Sequence, residues 1–290
     1  MKWLVTICAV VSLILPGCDR AEDAESAPRV IQSEQWPDEP LRVVSMAPNV
    51  TEALFELGMG DRVVAVTRYC DWPPEVEDLP RIGGMLDPDY EAMLSMEPDM
   101  VVGVVDGADH RVVERLDGAQ VAYGFVAMDD LDTVRSGIEE LGEWMGRSEE
   151  AQTLLSRFDA ELEAASAKLN EKVQPGQRAL LVFDREPLVV AGPGSYGAEI
   201  LELAGFENAM SQASGAYPVV DVEKLLSVDP EVVVDVTIDV QGGSAYWERF
   251  DAVTAVAEQR VVMIDDPVMM RPGVRIPEAL RALHRAIEAP

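Results

Sequence analysis

The sequence predicts an α/β protein of two Rossmann-like lobes, each with a mainly parallel sheet, joined by one long α-helix. Val-rich runs alternate with helical patterns in both halves of the chain, as expected of strand and helix units whose strands are covered on both faces. The stretch PDYEAMLSMEPDMVV at 88–102 recurs without a gap as VDVEKLLSVDPEVVV at 220–234, with seven of fifteen positions identical. Between the two copies, 148–173 places Leu154, Leu155, Phe158, Leu162, Ala165 and Leu169 at helical spacing.

The elements follow in order. Lys2 and an apolar run from Trp3 to Leu15 precede LPGC at 15–18. The run is well short of the ~20 residues a membrane-spanning helix needs, so residues 1–17 read as a signal peptide. Residues 19–40 are acidic, carry proline and lack periodicity, which reads as a flexible tether over 18–40, with order beginning near Leu41. An N-terminal lobe over 41–147 is expected from strands at 42–46, 62–67, 100–105 and 121–125 and a helix from Thr51 to Leu57. The connecting helix spans 148–175, opened by Ser148 with Glu149 and Glu150 and closed by Pro175-Gly176. A C-terminal lobe over 176–290 carries strands at 178–183, 231–238 and 260–265, the apolar run PLVVAG, a helix from Tyr196 to Ala204 and a last helix ending near Glu288. A single rigid helix between lobes permits little hinge opening.

Each copy of the repeat reads as a short helix stopped before a proline and followed at once by a buried strand. Glu91 and Glu223 hold the same place in the two copies, since 223 − 91 = 132 is also the offset between Pro98 and Pro230. An acid near a helix start suits the helix dipole. Duplicated placement, however, predicts one glutamate at an equivalent spot on each lobe.

The chain has 53 Asp plus Glu against 23 Lys plus Arg, which excludes nucleic acid as a partner. Such a surface fits work at high salt, where repulsion is screened. Of three cysteines, Cys8 lies in the signal and Cys18 at its end, leaving Cys70 alone, so no internal disulfide is expected. GPGSYG at 192–197 matches G-x-G-x-x-G, but Pro193 sits inside the turn and the chain is exported, so a strand-to-helix turn is the expected role. With only His110 and His284 present, a bare transition-metal site is not expected. Secreted hydrolase is the alternative from another class, yet no nucleophile signature such as G-x-S-x-G occurs, and no catalytic residue is assigned.

A small residue directly before Cys18, with leucine further back, resembles the lipobox of bacterial lipoproteins. The resemblance implies cleavage and acylation of Cys18. At ~0.8 kcal/mol per buried methylene, several acyl chains would anchor the protein firmly at the outer face of a membrane. RVVSMAPNVTEALFELG at 42–58, YCDWPPE at 69–75, PRIGGMLDPDYEAMLSMEPDMVVG at 80–103, ENAM at 207–210, YPVVDVEKLLSVDPEVVV at 217–234 and MRPGVRI at 270–276 together resemble the class III substrate-binding proteins of ABC importers, most closely the cobalamin-binding members. That resemblance implies a monomer that holds its ligand between the lobes, with Tyr69, Met85, Val189, Tyr217 and Arg271 at ligand-contact positions. It also implies that Glu91 and Glu223 dock onto arginines of a permease dimer, with ATP hydrolysed by partner subunits. The implied cargo is a corrinoid, with an iron siderophore or haem as the alternative, and no resident cofactor. Cys70 and Trp72 lie in the most specific stretch without an assigned role.

Overall fold

The computed structural model describes residues 30–37, 40–238 and 243–288. The signal peptide over 1–17, Cys18 and the tether up to residue 29 lie outside the described residues.

The N-terminal lobe runs β1 (Val30–Gln32), β2 (Val43–Ser45), α1 (Pro48–Glu56), β3 (Val63–Val66), α2 (Tyr90–Ser95), β4 (Met100–Val104), α3 (His110–Ala119), β5 (Ala122–Val126) and α4 (Leu131–Trp144). Its sheet has the order β1-β5-β4-β2-β3, parallel except for β1, which pairs antiparallel with β5. Val43, Val44, Val101 and Val102 are wholly buried, which is why these strands read as continuous apolar runs.

Strand β1 corrects the expected onset of order, because it lies inside the stretch read as tether. An edge strand needs only main-chain pairing and a few apolar side chains, so three residues in a polar stretch leave almost no pattern. Just beyond it, Trp36 stacks on Trp144 with ring centroids 5.0 Å apart, which fixes this segment to α4.

The connector α5 (Ser148–Asn170) is shorter than the 148–175 expected, ending before the turn into the second lobe. There the chain runs β6 (Arg178–Arg185), β7 (Leu188–Val190), α6 (Tyr196–Leu203), β8 (Glu207–Asn208), α7 (Val222–Val228), β9 (Val232–Asp235), α8 (Thr254–Ala257), β10 (Val261–Met263) and α9 (Ile276–Glu288). The sheet order is β10-β9-β6-β7, with β8 also pairing β6. Strand β7 is antiparallel to β6, since a two-residue link is too short for the crossover a parallel neighbour needs.

The sequence repeat is a structural repeat. Asp89 and Asp221 each cap their helix by accepting a backbone N–H three residues on. Glu97 and Asp229, the acids before Pro98 and Pro230, both take left-handed backbone, at φ 49° and 43°. In the first lobe Arg42 donates to the carbonyls of Met96 and Glu97; in the second, Arg178 donates to those of Val228 and Asp229. Asp99 and Glu231 complete the match by accepting the N–H of Arg42 and of Arg178. Both short helices are therefore held by an arginine at the start of an interior strand, Arg42 before β2 and Arg178 in β6.

Ala151, Leu154, Phe158, Leu162, Ala165 and Leu169 form the buried stripe of α5. It joins the inner faces of both lobes into one core that runs from Val43 and Val102 to Val234 and Leu283. Interiors packed this way resist continuous deformation, so the lobes are constrained to small relative movements.

Candidate ligand cleft between the lobes

In an open parallel sheet, ligands meet the loops beyond the carboxyl ends of the strands. After β3 the chain enters the Tyr69 loop, which Arg81 clamps by donating to the carbonyls of Thr67, Cys70 and Val76 at 2.6–3.0 Å. Tyr69 projects from it 53% exposed, with the Arg68 guanidinium 5.5 Å from its ring centroid. Arg68 itself pairs with Asp87. Met85, on the same side, is partly buried against the N-lobe core, and its neighbour Leu86 is 70% exposed.

Tyr217 projects from the second lobe, 52% exposed, with its ring edge-on to Phe183 at 5.4 Å. Its loop lies along the end of β7: Val190 N–H donates to Pro218 O and Gly192 N–H to Ala216 O, while Val189 bridges to Val219. Any side chain at Gly192 would collide with the Gly215 carbonyl, since a Cβ there would sit 2.2 Å from it. The GPGSYG stretch is thus a strand-to-helix turn, as expected, and its first glycine seats Tyr217. Burial pushes the Tyr217 hydroxyl up, and Asp129 and Asp106 of the first lobe push the same way. The two exposed tyrosines come one from each lobe, and each lies near the other lobe: Arg271 reaches the Tyr69 carbonyl, and Asp129 and Asp106 act on Tyr217.

Between the lobes lies a charged floor that the sequence reading missed. Arg271 donates to Asp71, with Nη2 2.9 Å from Oδ2, and to the Tyr69 carbonyl at 3.3 Å. Glu52, only 3% exposed, has Arg271 at 3.8 Å and Arg275 at 3.6 Å. Asn49 donates to the Pro272 carbonyl, and Leu131 N–H to Glu199, both at 2.9 Å and both across the lobes. Arg271, expected at the ligand, is occupied in fixing the Tyr69 loop. Glu52 stands between Val50-Thr51 and Ala53-Leu54 on a helix whose residues 49–54 are all buried; an acid in such a run is the available signal.

Burial pushes the Glu52 carboxyl up to about 7, outweighing Arg275 and Arg271, which pull it down. The folded protein therefore binds a proton that the unfolded chain has released between pH 4.5 and about 7, and stability falls as pH rises through that window. From the 1.36 kcal/mol per unit conversion the loss is on the order of 3 kcal/mol. Glu52→Gln is expected to flatten this decline, so that denaturant midpoints of variant and wild type diverge in the variant's favour from pH 4.5 to 8. Parallel profiles would refute the assignment.

Glu91 and Glu223 both lie in the first turn of their helices, exposed and without an ion-pair partner among the described residues. Val222, Leu226 and Val219 near Glu223 are 43–63% exposed. Cys70 is buried and shares contacts with Thr51 and Thr67, so it is not on the cleft surface. Trp72 lies beneath Arg275, 4.3 Å from guanidinium carbon to ring centroid, on the outer side of the charged floor. No cluster of three metal-ligating side chains occurs among the described residues. A concavity of about 850 Å³ lies away from the cleft, between residues 32–37 and the far end of the first sheet.

Two α/β lobes joined by one long helix make the fold of a two-lobed solute-binding protein of class III. The chain belongs to the periplasmic binding protein family, whose profile matches residues 43–268. A vitamin B12-binding protein of Vibrio campbellii is 24% identical over 239 residues, covering 82% of this chain and 86% of that protein. Among solved structures, the periplasmic haem-binding protein BhuT in complex with two haems superposes with a TM-score of 0.77 at 26% identity, covering 85% of this chain and 97% of that one. The periplasmic vitamin B12-binding protein BtuF of Vibrio cholerae does so with a TM-score of 0.73 at 22% identity, covering 86% and 97%.

Proposed function

We propose that the protein is the lipid-anchored, extracytoplasmic substrate-binding component of an ABC importer and that its cargo is a corrinoid. Tyr69 and Met85 from one lobe and Val189 and Tyr217 from the other would cover the faces of a flat macrocycle, while Arg271 holds the Tyr69 loop in place. The observation that carries this reading is the pair of half-exposed tyrosines, each held by main-chain hydrogen bonds of its loop, on opposite lobes of a fold shared with vitamin B12-binding relatives. Aromatic and thioether side chains suit such a surface. Likeness to a haem-binding structure supports haem as the second reading, with an iron siderophore behind it. Acylated Cys18 would tether the lobes to the membrane, and the permease dimer with its ATPase subunits would take up the cargo.

Calorimetric titration with cyanocobalamin, dicyanocobinamide, haemin and a ferric siderophore at high salt tests the reading. Submicromolar one-to-one binding of a corrinoid is expected. A response to haemin or siderophore alone would keep the importer and change its cargo. Tyr217→Ala is expected to weaken cargo binding by about 1–3 kcal/mol, the range for stacking on an aromatic, and an unchanged Kd would remove Tyr217 from the site.

A further inference from the structure

Among the described residues, two aspartates without an ion-pair partner stand at the ends of β4 and β5. Asp106 lies in the tight turn that follows β4, beside Gly107, where a Cβ would stand 2.8 Å from the Met85 Cγ. Asp129 follows β5, two residues before the Leu131 N–H that reaches Glu199 of the second lobe. Since β4 and β5 are parallel neighbours, both aspartates stand at the carboxyl ends of adjacent strands, on the cleft side. Both are exposed, and neither has a cationic partner among the described residues.

The cations nearby are already engaged. Arg68 is taken by Asp87, Arg271 by Asp71, and Arg275 by Glu278 and Glu52. Arg81 is spent on three main-chain carbonyls. A carboxylate entering beside Met85 and Tyr217 would displace one of these partners or face two uncompensated anions. An amide N–H entering there finds acceptors that make charge-assisted hydrogen bonds. Partial burial pushes the Asp129 carboxyl up, with Asp106 and Asp130 adding to the rise and no cation opposing it.

We infer that Asp106 and Asp129 are specificity-determining residues that admit a chelate edged with N–H donors, such as side-chain amides, and reject one edged with carboxylates. The inference rests on the cleft being the cargo site, as proposed above. Specificity of this kind is a difference of affinities, and repulsion against the wrong cargo is one of its two sources.

The test uses the full chain in detergent and two corrins that share a ring. Dicyanocobinamide carries amide side chains, and dicyanocobyrinic acid carries carboxylates in their place. Wild type is expected to prefer the amide form by about 100-fold at 0.15 M salt, with the ratio shrinking at 2 M as the repulsion is screened. D106N/D129N is expected to cut the ratio at least tenfold with its melting temperature unchanged, a shift in discrimination that a merely structural role would not give. A ratio that does not move in the variant overturns the inference and leaves the cargo reading standing. Binding of haemin, a dicarboxylate, by a wild type that ignores both corrins overturns the corrinoid reading and this inference together.

Discussion

Replacing Asp235 by alanine is expected to destabilise the protein by about 3–5 kcal/mol, the cost of stranding a buried charge. Asp235 ends β9, and Arg185 ends the neighbouring β6; Nε and Oδ2 are 2.8 Å apart, with the two side chains 2% and 0% exposed. Asp235 also accepts from the Trp247 indole at 2.7 Å and from Thr237 N–H at 3.0 Å. Tyr246 covers the guanidinium, 4.8 Å from ring centroid to carbon, and donates its hydroxyl to the Arg185 carbonyl. Removing the carboxylate therefore orphans a guanidinium, an indole N–H and a main-chain N–H in an apolar surround, and each lost partner carries a desolvation penalty. At about 2–4 °C per kcal/mol for a chain of this size, the melting temperature should fall by roughly 10 °C. The double variant R185M/D235L removes both charges and is expected to recover the guanidinium's share of the loss, the largest, while the Trp247 indole and Thr237 N–H stay unpaired. A single variant no less stable than the double one would show that the pair is not the reason the site is sensitive.

That pair lies where sequence reasoning is weakest. Arg185 and Asp235 are 50 positions apart and sit among dozens of acids, so nothing local marks them as partners. The same limit hid Glu52 with Arg275, and the way Asp71 occupies Arg271. Features carried by the backbone pattern were legible: Val-rich runs became the parallel strands, the stripe from Leu154 to Leu169 became the connector, and 88–102 with 220–234 became matched helix-to-strand units. The misses in the fold have the same physical origin. Strand β1 is held by main-chain pairing that side chains do not advertise, and β7 reverses direction because of the length of its link. Helices α3 and α4 went unread although Asp109 and Asp130 cap them, since the charged residues filling their outer faces blur the apolar period. The cleft aromatics were reachable only through resemblance. Nothing in the pattern around Tyr69 or Tyr217 separates a half-exposed ring from a packed one.

Replacing Glu91 and Glu223 together by alanine is expected to abolish uptake while leaving cargo affinity within about twofold. Each glutamate stands in the first turn of a short helix whose start is capped by an aspartate and whose end is pinned by an arginine, Arg42 before β2 in one lobe and Arg178 at the start of β6 in the other. The helices are therefore rigid mounts, and through the continuous core their separation is fixed as well. An exposed acid without an internal partner contributes little to stability, so the duplication is better explained by something outside the chain that offers two equivalent cationic donors, as the arginines of a two-fold permease would. Hydrogen bonds to a charged group are worth about 1.5–3 kcal/mol each. One loss should slow uptake by about 10- to 150-fold, and two should put it below detection. Exposed Val222 and Leu226 flank Glu223 and would exclude water from that contact, so the second lobe should be the less salt-sensitive of the two. Transport assays with E91A, E223A and the double variant, paired with calorimetry on the same proteins, decide the matter. Wild-type uptake by the double variant would remove the docking role, and a matching fall in cargo affinity would move both residues from the permease to the ligand.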